Sequence, residues 1–277
     1  MTNTFDLAYQ QLLADVLENG TDCGSRGLHY RQLFGTTLKH DLRRGFPLTT
    51  LRKMAFAPIR DYFLWAIGGS HNVNDAGSSY KHWAYLADAE GNISTTYGRM
   101  WRHWPVNTPE RVNPSEIYHT ADFDQLADVI EQLSYNATSR AIVLQTYNPA
   151  VVNQKCKPCH VNMVFSSDGE HLDLLVTKRS WDLILGFTND MPMFALLQTA
   201  VAQWTHLVPR FLQVTSANSH IYQNNNHISI AQELLSRTPL EPVECVVAAD
   251  VHPFKLTTDD IQLVSYNSHS PLKPEFN

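Results

Sequence analysis

The segment Met193–Leu207 limits what this chain can fold into more than any other. It reads Met-Phe-Ala-Leu-Leu-Gln-Thr-Ala-Val-Ala-Gln-Trp-Thr-His-Leu and carries no Asp, Glu, Lys or Arg. A helix of that composition is apolar around most of its circumference and needs cover on every side. It belongs at the centre of a core. It is too short to cross a bilayer, and no apolar run approaches the roughly 18 residues of a membrane span.

The rest of the chain supplies the cover. Phe5, Tyr9, Leu12, Leu13, Val16 and Leu17 recur at helical spacing, and Gly20 follows the last of them. Gly24 and Gly27 mark a loop, followed by a predicted strand near Tyr30–Lys39. A second helix is expected over Ala57–Ile67, stopped by Gly68-Gly69, and an amphipathic third over Phe123–Tyr135. Strands are expected at Ala141–Tyr147, Val161–Phe165, Leu172–Val176 and Val246–Val251, with a helix at Ile228–Ser236. Gly91–Pro105, rich in Trp, Tyr and Arg, reads as a surface or cleft segment. The mixture is α+β around a sheet. No repeat or linker interrupts it, so residues 1–277 are expected to form a single domain.

The net charge is −6. No overall basic field would draw the protein onto nucleic acid or anionic lipid, and an anionic substrate would have to be met by locally placed arginines. Met1 to Leu7 lacks the basic-then-apolar pattern of a signal peptide. The expected compartment is the cytoplasm, a host's if the chain is viral. Four cysteines in a chain of 277 residues do not make a disulfide framework and are expected as thiols.

Four local segments could carry chemistry. Cys156-Lys-Pro-Cys159-His160 fits a nucleophilic cysteine, a redox pair, part of a zinc site or buried structural thiols. A zinc site wants a second ligand pair, and Cys23 and Cys245 stand alone. A thioredoxin-like pair wants a helix next, whereas Val161–Phe165 reads as a strand. Lys178-Arg179-Ser180-Trp181-Asp182 offers a guanidinium beside a hydroxyl, which suits a phosphate or a solvated surface. Gly186–Asp190 precedes the apolar helix, where Asn189 or Asp190 would serve as an N-cap. Ser219-His220-Ile-Tyr222 would put His220 and Tyr222 on one side of a strand.

Taken together, these segments resemble the thymidylate synthase superfamily, nearly end to end. Tyr9-Gln-Gln-Leu-Leu with Val16–Thr21 looks like its first helix, and Gly45–Thr50 like its early loop. Leu64-Trp65, Gly69 and Tyr97–Arg102 are similar to its cleft segments. Pro158-Cys159-His160 matches its nucleophile motif, and Tyr266–Lys273 resembles its closing segment.

The resemblance implies a thymidylate synthase-like fold with a central mixed sheet, surrounding helices and a sheet-mediated homodimer. It implies 5,10-methylenetetrahydrofolate as co-substrate, a pyrimidine nucleoside monophosphate as acceptor, and no metal. Position by position, Cys159 matches the nucleophile, with Tyr97 and Asp190 also catalytic. Arg179 and Ser180 match phosphate ligands, and Arg140 a phosphate arginine lent across the dimer interface. Asn189, His220 and Tyr222 fall on the nucleotide, the last two at the sugar 3′-hydroxyl. Arg52, Tyr80, Trp83 and Asp182 fall on the folate side. Such a site solves a real problem: C5 of a pyrimidine is a poor nucleophile. A thiolate adding to C6 makes C5 enolate-like and able to attack a methylene iminium.

The departures are informative. Asp190 stands where the synthases carry a uracil-reading asparagine. A carboxylate accepts from the cytosine amine and, if protonated, donates to N3. Gly186–Asp190 matches the deoxycytidylate hydroxymethylase branch, so hydroxymethylation of dCMP is the expected reaction. Reductive methylation and a non-catalytic nucleotide-binding paralogue are the alternatives. Tyr80 replaces a tryptophan that keeps water from the exocyclic methylene. Tyr62 falls where the family has a glutamate, and Asp61, the nearest carboxylate, is expected in the catalytic set in its place. Ala141 replaces a second interface arginine. Ser25 replaces an N-terminal phosphate arginine, a contact Arg26 is placed to take over.

Overall fold

The structure, a computed structural model, describes residues 2–25, 27–105, 122–149 and 157–275. Arg26 and Cys156 lie outside the described residues. The helices are α1 (Thr4–Asn19), α2 (Phe56–Gly68), α3 (Tyr80–Trp83), α4 (Tyr97–Arg102), α5 (Gln125–Asn136), α6 (Gly186–Trp204) and α7 (His227–Ser236). The strands are β1 (Thr21–Ser25), β2 (Leu28–Asp41), β3 (Trp104–Pro105), β4 (Asp122–Phe123), β5 (Val143–Gln145), β6 (His160–Ser167), β7 (His171–Lys178), β8 (Trp181–Asp182), β9 (Val208–Tyr222), β10 (Glu244–Val247) and β11 (Ile261–Ser265).

Seven strands form one sheet in the order β1-β2-β9-β7-β6-β5, with β8 also on β9. It is mixed: β7 and β8 run parallel to β9, and the other pairs are antiparallel. The β8-α6-β9 crossover makes the parallel pairing possible and lays α6 on the sheet. Side chains at alternate positions (Leu172, Leu174 and Val176 of β7, Leu212 and Val214 of β9) face the helices and are buried. Helix α1 closes over α6: Tyr9 stacks on Phe187 with centroids 4.1 Å apart and donates to the Leu183 carbonyl at 2.7 Å. The buried Asp6 carboxylate ties α1 to the early loop, accepting from Thr49 Oγ1 at 2.6 Å and Thr50 N at 3.0 Å.

The central helix is longer than its apolar stretch. It begins at Gly186, so Asp190 lies inside it and caps nothing, and Pro192 is an interior residue. The capping reading of Asn189 also fails: its side chain donates back to the Leu185 carbonyl at 2.7 Å. Strand β10 ends at Val247, short of the expected Val251.

Two breaks position the site. Strand β7 stops at Lys178 opposite Ser216, and β8 resumes on the same neighbour with Trp181 opposite Ser219. Arg179 and Ser180 occupy the interruption. Cys159 is the residue immediately before β6, so its side chain stands at a strand end.

Candidate active site

Cys159 is half-buried and held from three sides. Its N–H donates to Tyr97 Oη of α4 at 3.2 Å, and its carbonyl accepts from Arg179 N at 2.9 Å. The Arg179 guanidinium donates to the Pro158 and Lys157 carbonyls, at 2.9 and 2.7 Å. That clamp leaves Arg179 Nη2 3.8 Å from Cys159 Sγ, so a thiolate there would meet a fixed positive charge.

Behind the cysteine lies a polar cluster assembled from five elements. His160 of β6 is fully buried. It stacks on Tyr97 with centroids 3.9 Å apart, and its Nε2 lies 3.4 Å from Asp190 Oδ1. Asp190 Oδ2, from α6, accepts from Lys178 Nζ of β7 and from Trp181 Nε1 of β8, the latter at 3.1 Å. Burial pushes the Asp190 carboxyl up, but the Lys178 ammonium and the His160 contact outweigh it and hold the group down at about 2. Burial and the same ammonium push His160 down to about 4, so its imidazole is neutral at pH 7. Burial raises the Tyr97 hydroxyl, which keeps its proton.

The sugar-side candidates sit on β9. His220 Nδ1 lies 2.8 Å from Asn218 Oδ1, and the His220 and Tyr222 rings are 4.9 Å apart, on one side of the strand. His220 pairs directly with Asp182 of β8.

The family model described as thymidylate synthase matches residues 7–277. The chain belongs to the thymidylate synthase family. It is therefore a folate-dependent enzyme that transfers a one-carbon unit to C5 of a pyrimidine nucleotide, with methylenetetrahydrofolate as co-substrate. The α+β fold with its large mixed sheet is the one this family has.

Other members of the expected thymidylate synthase site are spread around this centre. Ser180 is half-buried in the break after β7, and Arg140 is exposed three residues before the edge strand β5. Asn189 is exposed on α6. Arg52 is buried, donating to the Ile184 carbonyl at 2.5 Å and to Thr188 Oγ1 at 3.0 Å. Asp182 Oδ1 accepts from the N–H groups of Ile184 and Leu185, at 2.8 and 3.1 Å. Tyr80 is exposed, whereas Trp83 stacks on Tyr62 at 4.8 Å. Tyr62 in turn stands 6.3 Å from Tyr97. Asp61 points elsewhere, accepting from Ser78 N at 2.9 Å and pairing with Arg60 at 3.3 Å.

Sequence reasoning missed Lys178, reading it only as a neighbour of Arg179. A signal was present. Lys178 continues the alternation of Leu172, Leu174 and Val176, so the pleat carries it to the buried face.

Proposed function

We propose that this enzyme transfers the one-carbon unit as a hydroxymethyl group to C5 of dCMP. The observation that carries this reading is the Asp190 carboxylate, ion-paired with Lys178, where the synthases present an amide. A carboxylate can only accept, so it cannot donate to uracil O4, whereas it complements the exocyclic amine of cytosine.

In this reading the Cys159 thiolate adds to C6, and C5 takes up the methylene carbon from the folate. Loss of the C5 proton and of tetrahydrofolate leaves an exocyclic methylene. Water adds to that carbon and Cys159 departs. Exposure of Tyr80 supports access of water to this side of the site. Arg179 and Ser180 would hold the phosphate, joined by Arg26 and by Arg140 from the second copy of a homodimer. Asn189, His220 and Tyr222 would orient the nucleoside, and Arg52, Trp83 and Asp182 would line the folate side. Tyr97 would hold the cysteine loop. Asp61 would serve the proton network only by leaving its present partners, since Oδ2 accepts from Ser78 and Oδ1 pairs with Arg60. The whole chain would act as one cytoplasmic domain.

The test is mass spectrometry of products from dCMP, CMP and dUMP supplied with methylenetetrahydrofolate. Hydroxymethyl-dCMP is expected, and Cys159→Ser should abolish it. Dihydrofolate absorbance growing during turnover would show reductive methylation instead. No conversion of any of the three nucleotides would overturn the reading.

A further inference from the structure

Lys178 is 2% exposed and ends a strand whose other inward residues are Leu172, Leu174 and Val176. An aliphatic side chain would serve the fold there at less cost, because a buried ammonium must be compensated by a partner. Its partner is Asp190, and its Nζ also lies 5.6 Å from the Trp181 ring and 6.0 Å from the Phe194 ring. Among the described residues, the groups that face Asp190 come from four elements: Lys178 of β7, His160 of β6, Trp181 of β8 and Tyr97 of α4. His160 is neutral, Tyr97 keeps its proton, and an indole N–H does not dissociate. Among these groups, Lys178 is the cation, and it is ion-paired with Asp190.

Cytosine presents an amine at C4 and a lone pair at N3. An ionised Asp190 accepts from the amine but has nothing to give N3, so the donor must be another group. We propose that Lys178 donates to N3 of the cytosine ring and yields its proton there as the Cys159 adduct forms. This rests on the dCMP reading above. As the sulfur lone pair forms the Sγ–C6 bond, the C5–C6 π pair becomes the C4–C5 π bond. The C4–N3 π pair moves to N3, which takes the proton from Lys178 Nζ. Lysine is left as a neutral amine beside Asp190. It recovers the proton when the C6–S bond breaks and the ring regains its aromatic character. The proton transfer removes the negative charge that addition would otherwise put on the ring.

The experiment compares wild type, Lys178→Gln and Lys178→Met. It reads release of tritium from C5-labelled dCMP across pH 5 to 8, and the Kd of dCMP and dUMP by calorimetry. Glutamine still donates a hydrogen bond but cannot give up a proton. It should bind dCMP within about fivefold of wild type and release tritium at least about 100-fold more slowly at pH 8. In both variants Asp190 loses its counter-charge and its carboxyl rises. Protonated Asp190 can then donate to N3, so tritium release should recover as the pH is lowered toward 5, which wild type should not do. Wild-type tritium release by Lys178→Gln at pH 8 would overturn the proposal. So would equal losses of dCMP and dUMP binding in Lys178→Met without acid recovery, which would mark a structural pair. Should both variants fail to fold, the nitrogen-15 shift of N3 in labelled dCMP bound to wild type decides: an upfield move supports the proposal, and no move overturns it. Wild type that releases tritium from dUMP but not from dCMP would overturn the substrate reading as well, whereas an active wild type with an unaffected Lys178→Gln would overturn the lysine alone.

Discussion

At the scale of single residues, His160 reports the electrostatics of the site through stability. Its ring is wedged between Tyr97 at 3.9 Å and Phe194 at 4.7 Å. Burial, then Lys178, lowers its folded value to about 4, against an ordinary 6.5. The unfolded chain therefore binds a proton between pH 6.5 and 4 that the folded chain refuses, and stability falls as pH falls through that window. The loss amounts to about 3 kcal/mol. Asp190 works in the next window: its folded value of about 2 lies below 3.8, so stability present above pH 4 is lost on the way to pH 2. His160→Asn should therefore flatten the urea midpoint between pH 6.5 and 4 relative to wild type, while a decline below pH 4 persists because Lys178 still lowers Asp190. Other histidines contribute equally to both proteins, so the difference belongs to His160. Parallel curves would sink this account. The sequence displayed Cys159, Arg179 and Asp190 because their types stand out in recognisable segments. It concealed the His160–Asp190–Lys178 cluster, because three strand and helix ends must meet before those charges become neighbours.

At the scale of elements, the Tyr97 contact depends on how closely α4 approaches α2. Gly98 makes that approach possible: a Cβ there would lie 2.5 Å from the Ala66 carbonyl oxygen. The two helices are further tied by Arg102, which donates to the Ile67 carbonyl at 2.7 Å and pairs with Asp124, the cap of α5, at 2.7 Å. Gly98→Ala should force α4 outward, costing about 1–3 kcal/mol and drawing Tyr97 off the Cys159 N–H. A lower melting temperature together with at least about a tenfold loss of kcat is expected; a variant that melts lower yet keeps full activity would show that Tyr97 does not position the cysteine. Helix existence was legible from apolar spacing in α1, α2, α5 and α7. The start of α6 was not, because Asn189, Asp190 and Pro192 resemble a cap and a breaker until Trp181, Lys178 and His160 are there to receive Asp190. Strand β9 was hidden in the same way. Its polar residues from Gln213 to Ser219 resemble a loop, and pairing with both β2 and β7 overrides that preference.

At the scale of the molecule, the sheet has two unlike faces. One is buried beneath α1 and α6. On the other, Thr37, Lys39, Val143 and Leu175 are exposed, and Val164, Thr177 and Thr215 are half-exposed. This face, which spans β2, β9, β7, β6 and β5 and is at least partly exposed at these described residues, is what the proposed sheet-mediated homodimer would cover. Arg140 is exposed at the β5 edge of that face, where a second copy would bring it to a neighbouring site. The two-fold symmetry of such a dimer makes the idea testable without a structure of the complex. Arg140→Ala and Cys159→Ser should each be inactive or nearly so. Mixed, unfolded and refolded together, half the dimers should carry one chain of each kind. In those dimers one site combines both defects, while the other has an intact Cys159 and receives an intact Arg140. About a quarter of wild-type activity should therefore return, on dimers verified by light scattering. If Arg140 serves its own chain, every site in the mixture carries one defect, and the mixture should stay as inactive as its parents.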